Sequence, residues 1–323
     1  MQKSFNLIGN HTNQAGLQKD YELLKAMLEA RGNICYTHQF QDLTLPRQTD
    51  YSIFLEVVAP HCLQRAKYDI FVPNSEWYFN SWDQHLQRFS RILCKTHDCF
   101  DLWSKRAQNL TYVDHRHRVQ MPFVPNLKVE YLGFESADFF DADIPKQPTF
   151  LHLAGRSLTK NTAAVVRAWK EYAIPYPLIL VSFDPSGCGG CQSIHHHYLL
   201  GEREVRSIVN SSQFHIMPSA SEGFGHAIME ATGCKGIVLT TDAEPMRSFS
   251  GIPHEFLIPV EHSEPAPGRL GVLNSVHPEK IAEAVHRAAA LPPNRVLELS
   301  EAAREGFLFR QQEFRQKFAN LME

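Results

Sequence analysis

The residues best placed to do chemistry lie in Met217-Pro-Ser-Ala-Ser-Glu-Gly-Phe-Gly-His-Ala-Ile-Met-Glu-Ala-Thr-Gly-Cys-Lys-Gly236. A strand-like run, Phe214–Met217, ends in Pro218-Ser219, crosses a loop of small residues and opens a helix near Gly225. Gly223 and Gly225 let backbone N–H groups approach a ligand closely, and the helix start adds orphan donors and a positive dipole end. That combination forms an anion site suited to phosphate oxygens. Glu222 lies in the loop and Glu230 in the helix that follows. At ~100° per residue their spacing amounts to about 80° of net rotation, so both carboxylates can address one crevice at different depths. A carboxylate accepts two hydrogen bonds from vicinal hydroxyls, as on a ribose or a hexose. The plainer alternative is an ordinary strand–turn–helix with a solvated Glu222 and a surface Glu230.

Pro218, Ser219, Glu222, Gly223, Phe224, Gly225, Glu230 and Ala231 fall in register with P-S-x-x-E-G-F-G-x-x-x-x-E-A. The stretch thereby resembles the donor-sugar signature of retaining GT-B glycosyltransferases of family four. Upstream, Leu151-His-Leu-Ala-Gly155-Arg156-Ser-Leu-Thr-Lys160 matches the G-R-x-x-x-K element of that family. Two cations beside a strand end are what a diphosphate leaving group needs, because negative charge grows on it as the glycosidic bond breaks. The alternative for Arg156 and Lys160 is a solvated pair at a helix start.

The resemblance implies a GT-B fold: two Rossmann-like doubly wound domains facing an interdomain cleft, with a C-terminal helix crossing back to the first domain. It implies that Glu222 and the amides of Gly223, Phe224 and Gly225, with Ser219 beside them, contact the donor sugar and its phosphates. Glu230 would hold the ribose hydroxyls, and Arg156 and Lys160 the diphosphate. The loop from Gly9 through Gly16 to Leu17 stands where the family has a glycine-containing loop after its first strand. The donor substrate is then a nucleoside-diphosphate sugar, with a UDP-sugar favoured, and neither a cofactor nor a metal is required. Retention in such enzymes is ascribed to front-face attack within a tight ion pair, and Glu222 is not assigned as a nucleophile.

Other signals are weaker. Cys188-Gly-Gly-Cys191 followed by His195-His-His197 offers zinc-ligand residue types, but at a spacing no established finger uses, and a loop is the preferred reading. By position, Ile194–Gly201 resembles the nucleobase-contacting region of the family. In the first half, Glu76, Trp77, Tyr78, Lys95 and His97 follow strand candidates and could reach the acceptor side, where attack needs a positioned hydroxyl. Trp77 is set against ordinary core packing, and His61, after Val57-Val-Ala-Pro60, against a structural role. Lys105-Arg106 and His115-Arg-His-Arg118 make a local basic surface where an anionic acceptor would be sought.

Positioning these residues requires alternating strands and helices. Strand candidates are Phe5–Ile8, Tyr51–Leu55, Asp69–Val72, Arg91–Cys94, Lys128–Leu132, Thr149–Ala154, Leu178–Phe183, Phe214–Met217 and Gly236–Thr240. Leu17, Tyr21, Leu24 and Leu28 line one face of a helix closed by Gly32. Ala164, Val165, Ala168 and Trp169 mark a second helix, and Ile281, Val285 and Ala288 a third. The alternation implies parallel sheets with right-handed crossovers. Polar, proline-marked Asp141–Pro148 suggests a boundary, giving domains 1–145 and 146–305, with 306–323 as a final helix whose Phe307, Phe314, Phe318 and Leu321 form an apolar stripe.

The 323 residues favour two domains of about 150 residues each. A hydrophobic fraction of 43% supports two cores and excludes a disordered or fibrous chain. Lys+Arg 32 against Asp+Glu 35 leaves −3 with no basic arm, which disfavours generic nucleic-acid binding by phosphate neutralisation. The seven cysteines are odd in number and mostly set in apolar runs, the pattern of reduced thiols. No stretch approaches the ~20 apolar residues of a membrane span. Met1–Ile8 runs straight into a strand without a leader, so a soluble cytoplasmic protein is expected.

The sequence therefore points to a retaining glycosyltransferase moving a sugar to an acceptor hydroxyl on a saccharide, lipid-linked sugar, small molecule or modified nucleic-acid base. Two rivals are a nucleotide-sugar epimerase or hydrolase of GT-B type, and a sugar-nucleotide-binding module without catalysis.

Overall fold

A strand covered on both faces has no polar side to alternate with, so short unbroken apolar runs fold as the central strands of parallel sheets. The computed structural model describes residues 2–12, 16–109, 111–114, 119–122, 127–184, 189–198, 200–249 and 251–322. The chain divides into two units, Met1–Gly133 with Ala266–Gly271, and Phe134–Pro265 with Val272–Glu323.

The first unit runs β1 (Ser4–Gly9), α1 (Gly16–Glu29), β2 (Ile34–Gln39), β3 (Thr49–Leu55), β4 (Ala66–Val72), α2 (Asp83–Leu86), β5 (Arg91–Cys94), α3 (His97–Asn109), β6 (Thr111–Asp114), β7 (Val119–Pro122) and β8 (Lys128–Tyr131). Its sheet has the order β2-β1-β3-β4-β5-β8, parallel throughout, with β6 and β7 paired separately as an antiparallel ribbon. Leu17, Tyr21, Leu24 and Leu28 of α1 are all buried, the face expected from their spacing. The core gathers Ile8, Phe54, Phe71, Ile92 and Trp103.

The second unit runs β9 (Gln147–Gly155), α4 (Thr162–Glu171), β10 (Leu178–Ser182), β11 (Ile194–His197), α5 (Glu202–Ser211), β12 (Ser212–Met217), α6 (His226–Gly233), β13 (Ile237–Thr241), β14 (Leu257–Ile258), β15 (Val260–Pro265), β16 (Val272–Val276), α7 (Pro278–Ala289) and α8 (Pro293–Met322). The sheet order β11-β10-β9-β12-β13-β14 is again all parallel, and β15 and β16 form an antiparallel hairpin. Strand order grows outward from β9 in one direction and from β12 in the other. Their neighbouring carboxyl ends are therefore a topological switch point, where ligands bind in open α/β sheets.

The division falls at Gly133, ahead of the expected boundary, because the chain is already docked on the second unit before the polar Asp141–Pro148 segment begins. Phe134 lies 5.0 Å from the Phe314 ring of α8 and 5.4 Å from Phe224. Glu135 accepts from Arg315 at 2.7 Å, and Asp138 from Arg304 at 2.7 Å. The stripe of α8 is thus covered inside the second unit: Phe307, Phe314 and Phe318 are buried. Segment 134–139, assigned on sequence to the first domain, is part of what covers it.

The tip between β15 and β16 belongs to the first unit. Leu270 N–H donates to the Tyr78 carbonyl at 2.9 Å, Asn80 N–H donates to the Gly268 carbonyl at 3.1 Å, and Arg269 lies 4.3 Å over Trp77. Gly271 sits so close that a Cβ there would fall 2.4 Å from the Glu76 Cα, which excludes any larger residue without backbone movement. Among the described residues no helix is long and apolar enough to cross a membrane.

Candidate active site

At the switch point β9 ends in Gly155 and its loop carries Arg156 and Lys160 into Asn161. Asn161 holds φ +49°, a left-handed conformation that asparagine tolerates better than most side chains. Its amide donates to the Pro218 carbonyl at 2.8 Å and to the Asn274 carbonyl at 3.0 Å. The turn after β12 is pinned from two further sides. Thr240 and Thr241 of β13 donate to the Met217 and Ser219 carbonyls, each at 2.7 Å. Ala220 N–H donates to the Thr159 carbonyl at 2.8 Å, while the Asn274 backbone N–H and side-chain amide both donate to the Ala220 carbonyl, at 2.9 and 3.0 Å. The two loops are one rigid platform. His152, inside β9, reinforces it: Nδ1 donates to the Ile216 carbonyl at 2.6 Å and Nε2 accepts from Thr162 at 3.0 Å. Burial depresses the His152 imidazole to about 4, so it stays neutral.

On this platform Lys160, Ser219 and Glu222 come together. The Lys160 ammonium pairs with Glu222 Oε1 and lies 3.4 Å from Ser219 Oγ, which itself donates to Glu222 Oε1 at 2.6 Å. The Lys160 and Glu222 side chains are only 16% and 10% exposed, enough for a ligand to reach but shielded from bulk screening. Gly225 caps α6 at φ +80°, and a Cβ there would lie 3.0 Å from the Phe249 ring. Phe224 is buried, edge-on to Phe134 and to His226, whose Nδ1 meets Ser136 Oγ at 2.7 Å. Glu230 of α6 is 1% exposed. The plain reading of a solvated Glu222 and a surface Glu230 therefore does not describe this site: one carboxylate is held by a cation and a hydroxyl, the other is inside. Arg156 is exposed, its guanidinium 5.8 Å over the Phe183 ring.

Among the first-unit candidates, His97, Trp77 and His61 are each held by a partner of their own. Gly9 ends β1 against Leu55, and Gly16 opens α1. His97 opens α3 and stacks on Tyr131 at 3.8 Å. Trp77 is 39% exposed beneath Arg269, whereas neighbouring Tyr78 is fully buried and donates to Asp83 at 2.9 Å. His61 donates through Nε2 to the Asp42 carbonyl at 3.0 Å. Arg106, read on sequence as part of a basic surface, is engaged by Asp83 at 3.1 Å; His115–Arg118 lies outside the described residues. His195–His197 is an edge strand, β11, with His196 Nε2 donating to the Ser182 carbonyl at 2.9 Å.

A cluster of which sequence reasoning had only Lys95 and Glu76, and not Glu56 or Asp20, stands at the end of β3. Glu56 holds φ +66° and its N–H donates to the Val72 carbonyl at 2.9 Å. Burial pushes its carboxyl up to about 7, against the pull of Lys95. Lys95 forms an ion pair of 2.7 Å with Asp20, both almost wholly buried. Burial alone would depress this amine, but Asp20, Glu56 and Glu76 outweigh it and hold it charged. The available signal was position: Glu56 directly follows an apolar strand in a doubly wound domain.

Comparison with known proteins follows the same lines. A family model described as glycosyl transferases group 1 matches residues 191–258, the span holding β12, the Pro218–Gly225 turn, α6 and β13. No curated protein matches the sequence. Among solved structures, a glycosyltransferase from Rickettsia africae ESF-5 is similar over 99% of this chain and 97% of its own, with TM-score 0.66 at 12% identity. Anabaena Alr3699/HepE, solved with UDP and glucose, matches over 99% of both chains with TM-score 0.64 at 11% identity. The fold is GT-B. The pneumococcal O-GlcNAc transferase GtfA, solved with UDP and GlcNAc, has TM-score 0.57 at 15% identity over 85% of this chain. This chain spans only 56% of the length of GtfA. In this GT-B chain the family match and the Lys160–Ser219–Glu222 platform meet in the second unit, at the switch point of its sheet.

Proposed function

We propose that the chain is a retaining glycosyltransferase that moves a sugar from a nucleoside diphosphate, with UDP favoured, to an acceptor hydroxyl. The observation that carries this reading is the shielded Lys160–Glu222 pair beside Ser219 at the switch point. Without a ligand, cation and carboxylate neutralise each other. A bound donor gives each a better partner: the diphosphate takes the Lys160 ammonium, and sugar hydroxyls donate to Glu222. Arg156 adds a second cation on the same loop, the amides of Gly223, Phe224 and Gly225 point their N–H groups at phosphate oxygens, and Glu230 accepts from the ribose.

Chemistry follows from that charge arrangement. As the bond between the anomeric carbon and the β-phosphate oxygen breaks, its electron pair stays on the phosphate. Lys160, Arg156 and the helix start stabilise the charge that develops there. The acceptor hydroxyl attacks from the face the leaving group has just vacated, and its proton passes to the departing phosphate oxygen, so configuration is retained. The neighbours solved with UDP, glucose and GlcNAc support a uridine donor.

Two variants test this reading. Lys160→Ala and Glu222→Ala should each remain folded and lose about 10²–10³ in turnover, the loss typical of removing a stabiliser of developing charge. Calorimetry should show that Lys160→Ala weakens UDP by about tenfold or more, the loss of one charged hydrogen bond, and leaves uridine binding unchanged. Undiminished turnover in both purified variants would reject the assignment.

A further inference from the structure

A different set of side chains converges in the first unit. His38 lies in β2 in register with Ile8 of β1, and His61 and Cys62 lie in the single-turn helix Pro60–Cys62 that follows β3. β2 and β3 flank β1, and their ends at Gln39 and Leu55 lie beside Gly9. One ligand atom from each of His38, His61 and Cys62 lies within 4.8 Å of the other two.

Three observations suit these atoms to a metal ion. His38 is 8% exposed, and its Nε2 is buried with no hydrogen-bond partner among the described residues. A buried ring nitrogen without a partner is costly unless something supplies one. His61 is oriented from outside: the Asp42 carbonyl can only accept, so Nε2 carries the proton and Nδ1 keeps its lone pair. Metal-binding histidines are held in this way, with the non-ligating N–H on a backbone carbonyl. Cys62 is wholly buried, so its thiol is protected from solution oxidants and faces the same group. A tetrahedral zinc ion with Zn–N of about 2.0–2.1 Å and Zn–S of about 2.3 Å needs ligand atoms about 3.4–3.6 Å apart. The present spread exceeds that by about 1 Å, within reach of a small shift of the turn that carries exposed His61 and leaves its hydrogen bond to Asp42 in place.

We propose that His38, His61 and Cys62 form a binding site for a zinc-class divalent ion, with its fourth position open to solvent on the His61 side. Two imidazoles and one thiolate are the donor set of a borderline-soft cation, and such a set disfavours magnesium and calcium. The ion would tie the end of β2 to the turn after β3. In the stretch where zinc was weighed on sequence, Cys188 lies outside the described residues, and Cys191 and His195–His197 form no such group among the described ones.

The test uses the full untagged chain, stripped of metal and titrated with Zn²⁺ against a chromophoric chelator and, separately, with Co²⁺. One equivalent should bind, Co²⁺ should show a near-ultraviolet thiolate-to-cobalt band, and Zn²⁺ should raise the unfolding temperature. Cys62→Ser should abolish the band, and His61→Ala should weaken Zn²⁺ at least about tenfold. His61 is exposed, so its variant decides the matter should the buried Cys62 variant fail to fold. Cys191→Ser and His195→Gln/His197→Gln should leave binding intact. Absence of a stoichiometric equivalent, undiminished affinity in His61→Ala, or loss of binding in the Cys191 or His195/His197 variants would each overturn the proposal.

Discussion

Glu56 shows how much chemistry can be invisible until the backbone is seen. Its carboxyl is raised from 4.5 to about 7 chiefly by burial. Between those values the folded protein keeps a proton that the unfolded chain has lost, so stability from this group falls as pH rises from about 4.5 to about 7. Above pH 7 the full deficit is present. Glu56→Gln should therefore be more stable than the parent at pH 8, by about 1–3 kcal/mol, and indistinguishable from it near pH 4.5. Denaturant melts of both proteins at the two pH values check this; a variant less stable at pH 8 would contradict it. The left-handed φ of Glu56 goes with its N–H bond to the Val72 carbonyl of the neighbouring strand, a long-range contact that no local pattern encodes. Lys160, Ser219 and Glu222 were legible because they stand in register with the two motifs the sequence resembles, and the platform then brings them together. What spacing could not give is their pairing with each other in the absence of a ligand, or the two carbonyls that Asn161 ties together.

At the level of elements, the turn from β12 into α6 depends on Gly225. A side chain there meets both a left-handed backbone and the Phe249 ring at 3.0 Å. Gly225→Ala should destabilise the protein by about 1–3 kcal/mol. Because strain at the cap displaces the first N–H groups of α6, UDP binding should weaken as well. A thermal melt and a calorimetric titration measure the two effects, and a variant with unaltered melting and affinity would show the cap to be unimportant. The buried central strands were readable since burial on both faces leaves unbroken apolar runs, as in Ile53–Leu55 and Ile70–Val72. Edge strands were less so, although β8 (Lys128–Tyr131) was anticipated. β2 and β11 carry half-exposed polar residues, and β15 is mostly exposed, so none has a pattern that separates it from a loop. Proline and charge punctuate 141–148, while the two units divide earlier, at Gly133, where Phe134 and the ion pairs of Glu135 and Asp138 dock the chain on the second unit.

On the scale of the whole molecule, likeness at 10–15% identity to several glycosyltransferase structures means that the architecture is kept by patterning and volume while almost every side chain differs. Polypeptide passes between the units three times, at Gly133, before Ala266 and after Gly271. A gene cut at codon 133 would therefore not yield an intact half. The shortened product would lack the Leu270 donor to Tyr78, the Gly268 acceptor for Asn80 and the guanidinium over Trp77. Amide hydrogens of residues 75–82 should exchange with deuterium faster in that fragment than in the entire chain; equal protection would mean the excursion is dispensable. Any effort to express the halves separately has to transplant Ala266–Gly271 along with the amino-terminal piece, or accept a half with an unsealed edge.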